Sequence, residues 1–199
     1  MNRTRDIFKP QSLLGQCKIY FTETLKEPVR RRKVKFSITD IVMSGVAIFH
    51  LKYKSLLQFE RDRLTEPKIR HNLETLYQIK NAPCDTYMRE RLDDIPQADI
   101  QGALKPIITT MQRSKVLEQW KYFDEKYLIP LDGTHFFTSN ELHCPHCTEK
   151  VHNKGKKDEY TSYHHNMLVG TIASPTTRQV LPLFYEPIVN TDGAEKNDC

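Results

Sequence analysis

The chain has 199 residues, 38% of them hydrophobic and 28% charged, with a net charge of +5. That is room for one or two domains and enough apolar content for a core, which excludes a wholly disordered chain. No run approaches the roughly 20 apolar residues of a membrane span, and the N-terminus lacks the apolar core of a signal peptide, so a cytoplasmic protein with no membrane partner is expected.

Residues 1 to 35 mix Pro, Arg and Lys with short apolar groups and read as a loosely ordered basic arm with one short helical turn. Its densest block, VRRRKVK, offers Arg30, Arg31, Arg32, Lys33 and Lys35. Clustered cations suit a phosphate backbone better than dispersed charge does, although a solvated tail is the plainer reading of a basic run. FSITDIVMSGVAIFHLKYKSLLQFERDR then reads as an amphipathic helix. Ser37 or Thr39 caps it, Asp40 stands where a capping-box acid would, and Ile41, Ala47, Ile48, Leu51, Leu56 and Phe59 recur at helical spacing.

NLETLYQI and APCDTYMRERLDDI follow as short helices, with Pro83 blocking one and Asp85 or Thr86 capping the next. Their joint could be a helix-turn-helix that lays Arg89 and Arg91 in a DNA groove; the pattern itself favours a plain helical bundle. Residues 97 to 124 continue helical, interrupted at Pro106. The span 36–125 is therefore the helical, candidate DNA-binding region.

After Tyr127 the apolar residues come in short runs between turn residues. YLIPLDGT, NMLVGTIAS and VLPLFYEPIV read as three strands, with SPTTRQ a turn and with Pro182 and Pro187 placing the last strand at an edge or at bulges. Asp132 interrupts a stretch that reads as a buried strand. A carboxylate there needs a partner or a cleft, because an unpaired buried charge costs several kcal/mol. Taken alone, an Asp-Gly turn accounts for it best.

Between the first two strands, residues 143 to 165 form a polar loop, and six of the eight histidines fall between 135 and 165. The five cysteines, an odd number with one C-x2-C pair, do not make a disulfide framework. Cys144 and Cys147 can hold one face of a tetrahedral zinc, His152 can add a third ligand, and His164 or His165 can close the site. His143 and His146 are spare candidates. Strand alternation lets only one of His164 and His165 point at the metal. Four available ligands argue for a structural ion that orders a loop with no core of its own. A small zinc hydrolase, with Glu149 or Glu159 as base, is the catalytic alternative.

The ordered series LDGTHFFTSNELHCPHC, VHNKG, YHHNML, VLPLFYEPI and DGAEKNDC resembles the DDE-type transposases of bacterial and archaeal insertion sequences. NLETLYQI, PCDTYMRERLDDI and the helix before LDGT resemble the N-terminal region of that group. The resemblance implies an α+β fold: a helical region, then the first three antiparallel strands of an incomplete ribonuclease-H-like core over residues 126–199, with a zinc-binding insertion. It also implies a DNA transposase acting on double-stranded transposon ends, as a homo-oligomer or in association with an intact transposase. Asp132 matches the first catalytic aspartate, which with a second Asp and a Glu would hold two Mg or Mn ions about 4 Å apart. His165, directly before NML, is the preferred fourth zinc ligand.

Two departures accompany the match. The family's Pro-Glu after the third strand is Tyr185-Glu186 here, and its second Asp and its Glu lie well downstream of DGAEKNDC, where Asp192, Glu195 and Asp198 have no assigned role. The expectation is a truncated, catalytically incomplete copy; a non-catalytic zinc-containing DNA-binding protein is the alternative.

Overall fold

A computed structural model describes residues 9–27 and 35–188. The chain divides into two compact units, Met1–Val116 and Leu117–Cys199, the first helical and the second built on an open antiparallel sheet, so the class is α+β. Among the described residues no helix is long and apolar enough to cross a membrane.

The helical unit contains α1 (Pro10–Thr24), α2 (Ile38–His50), α3 (Leu56–Thr65), α4 (Pro67–Thr75), α5 (Asp85–Leu92), α6 (Gln97–Gln101) and α7 (Leu104–Arg113). Helix α1 corrects the expectation of a loose arm. Pro10 opens it, where a missing N–H costs nothing, and Leu14, Cys17, Phe21 and Leu25 follow at helical spacing against the core. Burial of Cys17 pushes its thiol pKa up.

Helix α2 is the centre of the unit, with Ile41, Met43, Ser44 and Ala47 fully buried. Ser37 caps it by accepting the Asp40 N–H at 3.0 Å. The Asp40 carboxylate does not return to the cap. It accepts from the Lys18 ammonium of α1 at 3.4 Å and from the backbone N–H of Lys80 at 3.3 Å, and Lys18 also donates to the carbonyl of Gln78. One buried acid thus joins three segments.

The long amphipathic helix expected from 36 onward is broken in two. Lys52 takes a left-handed φ of 58°, Tyr53 N–H reaches back to the Ile48 carbonyl and Lys52 N–H to that of Phe49, which is a Schellman stop made without glycine. Ser55 then caps α3 through the N–H of Gln58. At α5 neither Asp85 nor Thr86 caps; the free N–H of Asp85 is taken by the Glu60 carboxylate of α3 at 3.0 Å. Pro106 does not interrupt α7, since it lies in the first turn, and the break falls at Gly102 instead. A left-handed φ at Lys115 follows α7, a 3-10 turn covers Val116–Trp120, and helical structure stops there, short of residue 124.

In the second unit, β1 (Leu131–Ser139), β2 (Thr148–His152), β3 (Tyr160–Ser174) and β4 (Gln179–Ile188) form the sheet. Strand β3 is its spine. Strand β1 runs antiparallel along one edge, from Ser139↔Tyr163 to Leu131↔Gly170. The other edge is shared end to end: β2 pairs antiparallel with residues 160–164 and β4 with 166–174. The β3–β4 register shifts beside Pro182, at an edge strand, where proline is tolerated. Gly170 leaves room for the Phe184 ring, whose nearest carbon would stand 2.3 Å from a Cβ built there. Asp132 is neither buried nor in a turn. It lies exposed within β1, paired across the backbone with Val169, and Leu131 and Phe136 beside it are also exposed, so no desolvation penalty needs an answer there.

Candidate metal centre

After β1 the Ser139 hydroxyl accepts the N–H groups of Glu141 (3.1 Å) and Leu142 (2.8 Å), turning the chain into the C-x2-C segment. That segment closes on itself. Cys147 N–H donates to the Cys144 carbonyl at 3.1 Å, His146 N–H points at the Cys144 sulfur (3.4 Å), and Cys144 N–H at the Cys147 sulfur (3.3 Å). These three backbone contacts hold the two cysteines in one tight turn.

His165 arrives from β3, with its ring 5.6 Å from those of Phe136 and Phe137. Its Nε2 stands 3.4 Å from each sulfur, and the sulfurs are 3.9 Å apart, too far for a disulfide and close enough to share an ion. Cys144, Cys147 and His165 are the one group of three or more His, Cys, Asp or Glu ligands that could hold a metal ion among the described residues. Cys147 is buried and the other two are half-buried.

The remaining histidines are engaged elsewhere. His152, expected as a zinc ligand, lies on β2, stacks on Tyr160 at 4.5 Å and sets its Nε2 2.7 Å from the Ser162 hydroxyl. Position 152 pairs with residue 160, at the far end of the β2 ladder from the cysteines, so the correction follows from register. His164 has its Nε2 2.7 Å from the same Ser162 hydroxyl and its Nδ1 3.0 Å from that of Thr138. One serine hydroxyl carries a single proton, so at least one of the two imidazoles must donate to it when both are neutral. Loss of solvation, then the charges of His135, Lys150 and His152, hold the His164 pKa below its ordinary value. His143 stacks on Tyr163 at 4.4 Å, and His146 contributes its backbone rather than its ring.

Of the cations expected to meet DNA, Arg89 is exposed, with Asp85 at 3.4 Å, and Lys35 is exposed beside the Phe36 ring. Arg91 is corrected: its side chain is buried and paired with Asp94 at 3.2 Å, which removes it from any groove contact. Arg30, Arg31, Arg32 and Lys33 lie outside the described residues, as do Asp192, Glu195 and Asp198. The N–H groups aimed at sulfur and the Ser162 bridge were not read from the sequence; the C-x2-C spacing carries the first signal, and alternation of Ser162 with His164 along a strand carries the second.

No protein-family model, curated protein or solved structure matches this chain.

Proposed function

We propose that the protein binds double-stranded DNA and serves DDE-type transposition, with zinc held by Cys144, Cys147 and His165 as a structural ion. The observation that carries this reading is the order of parts in the sheet. Asp132 stands near the start of β1, β1 is antiparallel to β3 and β3 to β4, and the C-x2-C segment with β2 is inserted between the first two. That order is the one a ribonuclease-H-like core with a zinc-binding insertion would require.

The donor set supports zinc. Two thiolates and an imidazole around a tetrahedral ion would place the sulfurs about 3.8 Å apart and nitrogen about 3.6 Å from each, by ordinary Zn–S and Zn–N bond lengths. The separations of 3.9 and 3.4 Å match within a few tenths of an ångström. The role assigned to the ion is to tie the inserted segment to β3.

The proposal is for binding and assigns no role to Asp132, which belongs to no group of three metal-ligating side chains among the described residues. The chain is proposed to grip DNA through its cations.

The test is duplex binding followed by fluorescence anisotropy across a salt series. Three phosphate contacts predict a loss of roughly 40-fold in affinity between about 50 and 200 mM salt. Affinity unchanged over that range, or no binding at the low end, overturns the DNA reading.

A further inference from the structure

The helical unit contains a cleft of about 510 Å³, within the size range of ligand sites, between the α3–α4 joint and the segment around residues 79 to 84. Lys35, Arg63, Arg70 and Lys80 line it, against a single carboxylate, Glu74. Like charges gathered around one concavity repel one another, and an anion in their midst removes that repulsion.

The cations are also underused. Among the described residues the side chains of Arg70 and Lys80 make no ion pair or hydrogen bond, and Lys35 meets only the Phe36 ring, 5.3 Å from its ammonium. Arg63 is the sharper case. Its Nε is buried with no hydrogen-bond partner, and its terminal nitrogen lies 3.9 Å from Glu60, at the outer limit of an ion pair. That Nε is closed to solvent; what Arg63 brings to the cleft wall is a guanidinium whose nearest ion-pair partner stands at that outer limit. Guanidinium groups suit phosphate because their N–H groups match its oxygens in pairs.

We propose that this cleft is a phosphate-binding site and that it seats the sugar-phosphate backbone of DNA. The assignment of the source rests on the DNA-binding reading above; the phosphate chemistry rests on the cleft alone. Inorganic tripolyphosphate or a free nucleotide offers the same oxygens and serves as the competing source.

The experiment uses the full chain and the double variant Arg70→Gln, Lys80→Gln. Both side chains are exposed and without a partner among the described residues, so the fold does not depend on them. Lys68→Gln, on α4 outside the cleft, is the control. In the anisotropy salt series the double variant should lower the slope of log affinity against log salt by about 2 and weaken duplex binding roughly tenfold, with the control changing the slope by less than about 1. Cys84 forms part of the cleft wall, so its alkylation, resolved by mass spectrometry, should slow when duplex is bound. If the parent chain binds duplex and the double variant keeps its full slope, the cleft assignment is overturned while DNA binding stands. If tripolyphosphate protects Cys84 and duplex does not, the DNA source is overturned.

Discussion

Replacing Asp40 tests whether one buried carboxylate holds the helical unit together. The residue is 6% exposed, receives Lys18 at 3.4 Å and accepts the N–H of Lys80 at 3.3 Å. With an effective dielectric near 20, the ion pair is worth about 5 kcal/mol gross, and desolvation removes most of it. Hydrogen bonds to a charged group leave about 1.5–3 kcal/mol each in mutational series. Asp40→Ala deletes both bonds and strands a buried amide N–H, so a loss of about 3 kcal/mol is expected. Asp40→Asn keeps an acceptor for Lys80 but loses the charge opposite Lys18, for about 1–2 kcal/mol. Urea unfolding of the full chain, followed by helical circular dichroism at neutral pH, reads both. A second cycle with Lys18→Met isolates the pair. An Asp40→Ala variant within about 0.5 kcal/mol of the parent would refute the role given to this acid, because surface substitutions fall in that range.

Zinc content after gel filtration should be lost in Cys147→Ser and His165→Ala and retained in His152→Ala; loss with His152→Ala would restore the four-ligand reading. Burial pushes the Tyr77 pKa above the ordinary 10.0, while its hydroxyl lies 2.7 Å from His50 Nδ1. The folded state therefore keeps this proton longer than the unfolded chain does, so the contribution is complete below about pH 10 and is lost as pH rises through the folded value. Denaturation midpoints measured up through that range should fall less steeply for Tyr77→Phe than for the parent, and equal slopes would count against it.

What could be read from the sequence was whatever local chemistry decides. The Ser37 cap, the turn before β4 and the C-x2-C pair depend on neighbours a few residues apart, and each stands where expected. Helix α1 was hidden because its apolar stripe is thin and interleaved with polar residues, and it is packing into the common core, with Phe21 buried, that makes it worth forming. The break at Lys52 was hidden because the usual marker of a left-handed stop, glycine, is missing. His152 misled for a different reason. Spacing from Cys147 suits zinc, yet strand pairing carries it to the opposite end of β2, and pairing partners are not written in a single strand.

The doubled histidine of β3 carries a consequence for fidelity of assembly. Position 165 falls where the β2 ladder ends and the β4 ladder begins, facing the sulfurs, while 164 faces Ser162 and Thr138. A slip of one residue would turn His164 toward the cysteines in its place. An ion held by two thiolates and an imidazole would accept either alignment, so it would not select the register of the sheet. That task falls to residues that tolerate no exchange. Ser162 must meet His152 across the β2 ladder, and Gly170 must lie under the Phe184 ring, where a side chain brought in by the slip would collide.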